Sequence, residues 1–379
     1  MRPAPGLIGF LLLFLLIPVS SSAADAGGGP IELPVSFQPV LVLQPRVVFR
    51  VEDRAPSRAS ELVPSLHRAE LGFAVSGRFI AAAFAADASG GVPWLRDAFV
   101  DVGLLDGTIA VRVGYMRPPL GREVLAAGDR HLLPAEPESL DIVDPQRELG
   151  AELHGRIAGW LSYATGAWSG VAEGIDGTRR SGELEALAGG RVVVEPLGPM
   201  PAEEGASDQR GGGPRLAIGA AGLFGRRRGV PFPGRAEAGA TYGEDRLRLG
   251  GEAAFKWAGM SATAELFWSA AWSSPGTEAA LESRLPRVNG LGGTLQLAAF
   301  VVKKRLELAA RCDAWDEDVD VGGALVAPMA GVSFYAVGTH VVLQLAYRAR
   351  FAVEDPFPDG SSYKEPVTHD AMMMLQLSL

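Results

Sequence analysis

The stretch Arg46–Glu52, Arg-Val-Val-Phe-Arg-Val-Glu, decides the fold, because apolar and charged residues alternate along it. Successive side chains of a strand point to opposite faces, so residues 47, 49 and 51 form an apolar face and the charged residues form a polar one. Similar segments recur at 68–76, 109–115, 246–255, 305–311 and 343–350. We count about seventeen such segments, each about ten residues long, separated by Gly- and Pro-rich turns. The chain is therefore predicted to be all-β.

Composition excludes several classes of protein. The 379 residues are 47% hydrophobic and 21% charged, which is typical of neither a disordered nor a collagen-like chain. The single cysteine, Cys312, excludes a disulfide framework and a multi-cysteine metal site. The formal net charge of −9 argues against nucleic acid as a partner.

The first 24 residues have the pattern of a secretory signal peptide. Arg2 precedes an apolar run from Leu7 to Pro18, and small residues lead to a predicted cleavage after Ala23 or Ala24. The run is shorter than the about 20 residues of a membrane helix, although a retained anchor is the alternative. We expect residues 1–24 to be removed and residues 25–379 to form one domain.

Two all-β architectures fit the alternation: an array of β-sandwiches and a closed barrel. Sandwich strands are usually shorter, about five to six residues, whereas strands that cross a membrane at a tilt need about 9–11. Charged residues on nearly every polar face are typical of an aqueous lumen, and the apolar face would then meet lipid. An even strand number is the rule for bacterial barrels, so we predict a transmembrane antiparallel β-barrel of about sixteen strands. The segment 236–242 is the one we expect to be a loop.

A membrane helix is the alternative for the region Val321–Tyr347, which contains no Asp, Glu, Lys or Arg. Its Pro328 and four glycines favour two strands about a turn instead, at Ala330–Val337 and Val341–Phe351. The best local candidate for an amphipathic helix elsewhere is the short segment Glu183–Ala188.

The chain ends on a row of apolar residues at 371, 373, 375, 377 and 379, which is typical of a final strand that closes a barrel against the first. Aromatic residues lie near strand ends, as expected of the girdles at the two membrane interfaces. They are Trp94, Tyr115, Trp160, Trp168, Trp257, Trp268, Trp272, Trp315, Tyr347 and Phe351.

Between Ser65 and Gly170 the sequence resembles the phosphate-selective porin (porin O and P) family of bacterial outer-membrane channels. The matching segments are Leu66–Phe73, Leu95–Asp101, Val113–Gly121, Arg147–Gly150 and Leu161–Gly166. The turn Gly114-Tyr115-Met116-Arg117-Pro118-Pro119-Leu120-Gly121 is the strongest of them. The resemblance implies a sixteen-stranded homotrimeric porin of the outer membrane, embedded in its lipid, with a constriction loop folded into the lumen.

In such a pore, charged side chains that face the water select ions, and rings of arginine favour anions and phosphate. The segment 117–147 is the expected constriction loop. The pore-lining and selectivity candidates are Arg112, Arg117, Arg122, Arg130, Arg147, Arg191, Arg311, Arg348, Arg350, Asp97 and Asp101. Charges that pair across strands are the alternative interpretation of each of them.

Three hypotheses for the function remain. The first is a porin for passive diffusion of small hydrophilic solutes and for ion transport, with a preference for anions or phosphate as its sharper form. The chain has only four lysines, which favours general diffusion over phosphate specificity. The second is a barrel enzyme or a structural barrel with a plugged lumen, and the third is a secreted soluble all-β binding protein. We expect no enzyme, cofactor or metal, because the sequence lacks G-x-S-x-G, Walker and H-E-x-x-H motifs and metal-ligand spacing of its histidines.

Overall fold

The computed structural model describes residues 35–54, 57–105, 107–126, 131–169, 186–201, 213–231, 241–273, 287–320, 323–353 and 367–379. The predicted signal peptide and residues 236–240 of the predicted loop lie outside these residues, whereas residues 241 and 242 of that loop belong to a strand, so the loop prediction is wrong there. The described residues form sixteen strands, β1 Ser36–Arg54, β2 Ser57–Ser76, β3 Ile80–Asp87, β4 Trp94–Gly103, β5 Ala110–Met116, β6 Glu148–Ile157, β7 Leu161–Trp168, β8 Ala186–Val194, β9 Arg215–Pro231, β10 Thr241–Trp257, β11 Met260–Ser273, β12 Val288–Val302, β13 Leu306–Asp316, β14 Leu325–Val337, β15 Val341–Ala352 and β16 Val367–Ser378.

Each strand pairs antiparallel with its neighbours in sequence, and β16 pairs with β1, so the sheet closes into a barrel. The closing register joins Val47 to Met373 and Arg50 to Asp370. The sixteen-stranded antiparallel barrel predicted from the alternation is thus confirmed. Closure removes the free edges that an open sheet would expose to lipid.

The two ends of the barrel differ in their connections. The turns after β2, β4, β6, β10, β12 and β14 are short, and we call this side the turn end. The connection between β5 and β6, which spans residues 117–147, emerges at the opposite side, the loop end. In bacterial barrels short turns face the periplasm and long loops face outward.

Alternation sets the two faces of the wall. Leu149, Leu266 and Leu295 are 62%, 69% and 50% exposed and lie on the outer face. Gln296 and Arg311, at the other parity of their strands, are buried against the lumen. An outer face of exposed Leu, Val and Phe is favourable only against lipid.

The helical alternatives do not hold where the structure describes them. Val321–Tyr347 contributes to β14 and β15, which confirms two strands about a turn. The described part of the candidate helix Glu183–Ala188 lies in β8, so that prediction is wrong there. Within the described part of the chain, none of the helices is long and apolar enough to cross a membrane.

The aromatic girdle prediction is wrong for two of its members. Trp160, Trp257 and Tyr347 are about half exposed, as residues at the membrane interface are. Trp168 and Trp315, by contrast, are buried and have the lumen-facing parity of β7 and β13. Their strand-end positions alone could not show which face they occupy.

Candidate functional site: the barrel lumen

The β5–β6 connection lies inside the barrel, because its backbone is bound by lumen-facing side chains of distant strands. The carbonyl oxygen of Leu132 accepts hydrogen bonds from Ser333 Oγ at 3.0 Å and Gln344 Nε2 at 2.8 Å. Arg46 Nη1 donates to the carbonyl of Pro134 at 3.0 Å, and Arg311 Nη1 donates to that of Ala135 at 2.8 Å. These donors belong to β14, β15, β1 and β13, so the connection reaches the wall far from its own strands.

Apolar packing holds the connection against two sides of the wall. On one side, Leu120, Val124, Leu140 and Val143 pack against wall residues Met116, Trp168, Leu187, Leu223 and Phe267. On the other, Leu132, Leu133 and Ala135 pack against Val48, Ala298, Ala309, Met329 and Met372. All of these side chains are buried. Each such burial contributes on the order of 1.5–3 kcal/mol for a large side chain, so the connection is a fixed part of the lumen.

Glycines in the wall make room for this packing. A Cβ atom at Gly250 would lie 2.9 Å from the carbonyl oxygen of Leu120. One at Gly331 would lie 2.7 Å from a side-chain carbon of Leu133. Real Cβ atoms do not come this close to a backbone oxygen, so the connection could not approach β10 as it does with a larger residue at 250.

A buried carboxylate fixes the short helix α1, Arg122–Leu125, within the connection. Glu265 of β11 accepts hydrogen bonds from the backbone N–H of Arg122 at 2.5 Å and of Glu123 at 3.3 Å. Its lumen-facing parity in a strand with no other charged residue was the only signal in the sequence. Sequence reasoning missed Glu265.

A cavity at the turn end of the lumen, which we call the turn-end cavity, has a volume of about 370 Å³. Its charged lining comprises Arg112, Arg117, Arg156, Arg191 and Glu152, together with His154. Apolar parts of its lining include Pro119, Leu125 and Val193. Four guanidinium groups against one carboxylate make the lining of this cavity basic.

The closest carboxylate partner of each of these arginines lies outside the lining of the cavity, and Glu152 within the lining lies 3.7 Å from Arg112 Nη1. Arg112 Nη2 lies 2.8 Å from Asp101 Oδ2, and Arg191 Nε lies 2.9 Å from Glu252 Oε2. Arg156 pairs with Glu195. Water in the cavity therefore contacts the guanidinium groups more than it contacts their carboxylate partners. The pairing nevertheless weakens the electric field of each guanidinium.

Asp101 also binds His154, whose Nε2 lies 2.8 Å from Asp101 Oδ2. A carboxylate–histidine pair of this kind is what a barrel enzyme would need, but here the same oxygen is bound by Arg112. The ring of Phe99 lies 4.4 Å beneath the Arg112 guanidinium and holds it by a cation–π contact. The pair is thus part of an arginine-centred cluster.

The loop-end cavity has a volume of about 270 Å³ and a balanced lining. Its charged lining residues are Arg46, Arg50, Arg348, Glu136, Glu138 and Asp144. Asp370 lies behind them and accepts from Arg50 Nε at 2.9 Å and from Arg348. Arginines and carboxylates thus contribute equally to this lining.

Glu136 is the carboxylate by which the connection contacts β2. Its Oε1 lies 3.2 Å from Arg68 Nη2 and 3.6 Å from His131 Nε2. Desolvation in the lumen is the largest single influence on Glu136 and acts to raise its pKa. The positive charges of His131, Arg68 and Arg117 together outweigh it and lower the pKa to about 2. The carboxylate is therefore charged throughout the ordinary pH range.

The remaining candidates are held by partners as well. Arg117 Nη2 lies 3.1 Å from Asp144 Oδ2, and Arg147 binds both oxygens of Asp97, at 3.0 and 3.2 Å. Arg350 lies 3.5 Å from Glu138.

Two further candidates sit in β13 and in the connection. Arg311 Nε lies 3.1 Å from Asp313 Oδ2. Arg122 donates to the carbonyl of Pro201. Arg130 lies outside the described residues.

A second segment enters the lumen from the turn end. The connection that follows β8 turns inward at Glu195, whose Oε1 accepts the backbone N–H of Met200 at 2.8 Å. Met200 packs against the lumen-facing Val193, Ala217 and Ala254. Nothing in the sequence pattern indicated this segment, because its residues do not alternate.

Sequence reasoning also missed Arg156 as a lining residue, whereas Glu138 and Asp144 belong to the segment 117–147 that was predicted to form the constriction loop. Arg156 shares the parity of Glu152 and His154 in β6, so alternation could have found it. Glu138 and Asp144 lie in the connection, where alternation gives no information about direction.

Comparison with solved structures supports the same architecture. An anion-selective porin from Comamonas acidovorans has a TM-score of 0.60 and 12% identity over 91% of this chain and all of that one. A trimer form of OmpT, an outer-membrane protein of Vibrio cholerae, has a TM-score of 0.60 and 8% identity over 91% and 99%. The outer-membrane channel DcaP of Acinetobacter baumannii has a TM-score of 0.55 and 10% identity over 91% and 97%.

No protein-family model matches the chain, and no curated protein matches it in sequence. At these identities the structural likeness shows the fold. The chain forms a sixteen-stranded β-barrel with the architecture of bacterial outer-membrane proteins, and its lipid-facing exterior places it in that membrane.

Proposed function

We propose that this protein is an outer-membrane porin through which small hydrophilic solutes diffuse passively, with a weak preference for anions. The observation that supports this most is the turn-end cavity, whose lining presents four arginines and one carboxylate to the lumen. Arginines that face water in a narrow lumen attract anions and repel cations. The preference is weak because each of the four arginines also has a carboxylate partner.

Specificity for phosphate is the finer form of the proposal that the family resemblance implies. Arg binds phosphate with a bidentate fork, but the forks of Arg112 and Arg191 are already occupied by Asp101 and Glu252. General anion preference is therefore the form that these contacts support.

The proposal includes the role of residues 117–147 as the constriction. Hydrogen bonds and apolar packing to widely separated strands support this role, since a segment fixed in this way narrows the lumen. A homotrimer is the proposed assembly, and a trimer form of a structurally similar outer-membrane protein supports it. Sedimentation in detergent that gave the mass of one chain would contradict the trimer.

Ion preference can be tested by the reversal potential in a KCl gradient across a planar bilayer. For the wild-type protein we expect a reversal potential with the sign that corresponds to a preference for chloride. For Arg112→Glu we expect the reversal potential to shift toward that of a potassium-selective pore, because the change inverts a charge in the lining. Arg58→Glu is the control, since Arg58 is 69% exposed at the loop-end rim and lines neither cavity. A reversal potential that Arg112→Glu left unchanged would remove Arg112 from the selectivity determinants.

A structural barrel with a plugged lumen is the second candidate. The apolar packing of the connection on two sides of the wall favours it, because the same contacts that narrow a pore can close one. It differs from the porin in a single observable: a plugged barrel gives no conductance steps at any salt concentration.

A further inference from the structure

An ion pair of the connection lies between the two cavities of the lumen. Arg117 lines the turn-end cavity and Asp144 lines the loop-end cavity. Arg117 Nη2 and Asp144 Oδ2 are 3.1 Å apart, and both side chains are about 85% buried. The pair therefore joins the lining of one cavity to the lining of the other.

Both partners are held by further contacts. Arg117 Nη1 donates to the carbonyl oxygen of Val124 at 2.5 Å, at the end of α1. The backbone N–H of Asp144 donates to the carbonyl oxygen of Leu140 at 2.7 Å, and the neighbouring Val143 is fully buried. The pair is thus fixed to the packed part of the connection rather than free in the water.

Gln146 also binds the carboxylate of Asp144. Its backbone N–H donates to Asp144 Oδ1 at 2.9 Å, and its side-chain amide donates to Asp144 Oδ2 at 3.2 Å. Gln146 has a φ of 62°, in the left-handed region that residues other than glycine rarely adopt. Backbone in this region is strained for a residue with a side chain and persists where surrounding contacts enforce it.

The position of Gln146 sets it apart from other described residues with this conformation. Ala158, Ala258 and Lys304 also have positive φ, and each lies in a two- or three-residue turn at the turn end, where such values are ordinary. Gln146 lies within the lumen connection, where no tight turn between paired strands requires it. The strained backbone at Gln146 holds the Asp144 carboxylate toward Arg117.

We propose that the Arg117–Asp144 ion pair, which we call the selectivity bar, sets the ion selectivity of the pore between the two cavities. The Asp144 carboxylate neutralises the Arg117 guanidinium and thereby limits the preference for anions. The inference rests on the proposed porin function. Asp144 becomes a specificity-determining residue, because its ion pair with Arg117 reduces the charge that a passing anion meets. Loss of either partner exposes the charge of the other, so the two changes act in opposite directions.

The experiment measures the anion-to-cation permeability ratio of two variants from reversal potentials in a KCl gradient. Asp144→Asn keeps the shape of the side chain and the acceptor for the backbone N–H of Gln146, and we expect the ratio to rise about twofold. Arg117→Gln exposes Asp144, and we expect the ratio to fall below that of the wild type. Heat-modifiable migration on a gel shows that each variant has folded.

Asp245→Asn is the matched control. Asp245 makes an equally close ion pair, 2.7 Å from Arg226, but both residues have the outward parity of β10 and β9. If the permeability ratio depends on charges in the lumen, removal of the Asp245 charge leaves that ratio unchanged.

The outcomes separate this inference from the proposed function. Channels that conduct in the wild type, but whose permeability ratio is the same in Asp144→Asn and Arg117→Gln, would overturn the selectivity bar and leave the porin standing. Shifts in the same direction for both variants would overturn it as well. A wild-type protein without conductance steps would overturn the porin and the bar together.

Discussion

At the scale of single residues, the lumen is a set of matched charges rather than a ring of one sign. Arg147 and Asp97 illustrate this, since a bidentate pair in a partly buried site fixes two side chains and cancels most of their distant field. Alternation predicted that Arg112 and Asp101 would share the lumen face, as they do. It could not predict which carboxylate pairs with Arg117, because Asp144 lies in a connection without period.

Glu136 gives a prediction about pH. Because its pKa is lowered to about 2 from 4.5, its contribution to stability is present above about pH 4.5 and is lost as the pH falls through about 2. We expect Glu136→Gln to lower the unfolding temperature in detergent at pH 7, by on the order of 2 °C, because Arg68 loses the closer of two carboxylate partners. The difference from wild type shrinks as the pH is lowered from 4.5 to 2.

The control for this prediction is Glu61→Gln. Glu61 is 56% exposed and lies 3.6 Å from Arg50, so solvent screens its pair and little change is expected. A difference between wild type and Glu136→Gln that stayed constant down to pH 2 would contradict the assigned contact.

At the scale of elements, the strands follow from the sequence and the lumen segments do not. Strands such as β13 and β16 alternate cleanly, and their faces could be assigned residue by residue. Some lumen-facing positions are apolar, among them Val48, Met329 and Met372. These residues break the polar pattern where the connection packs, but the pattern alone could not show what covers them.

Gly250 provides the test of how the connection sits on the wall. A valine there would meet the carbonyl of Leu120, so we expect Gly250→Val to displace α1 and to raise the single-channel conductance. Barrel folding should be retained, because β10 pairs with β9 and β11 through its backbone and not through a side chain at position 250.

Gly251→Val is the matched control on the adjacent residue. Gly251 faces outward, and a Cβ atom there has no heavy atom within 4 Å among the described residues. We expect its conductance to equal that of the wild type. Equal conductance in both variants would show that α1 does not narrow the pore.

At the scale of the whole molecule, lipid outside and charge inside explain the composition of the chain. Exposed leucines on the outer face and buried charged residues in the lumen reverse the arrangement of a soluble protein. The strand number and the closure onto β16 were predicted from alternation and from the apolar row at the end of the chain. The two cavities were not, because they depend on where connections of irregular sequence fold.

The measurement that tests the porin most directly is single-channel recording of the purified wild-type protein in a planar bilayer. We expect discrete conductance steps whose size grows with salt concentration, because the proposed porin requires a water-filled path past Arg117 and Asp144, which line the two cavities. Inserted, heat-modifiable protein that gave no steps at any salt concentration would contradict the porin and favour the plugged barrel.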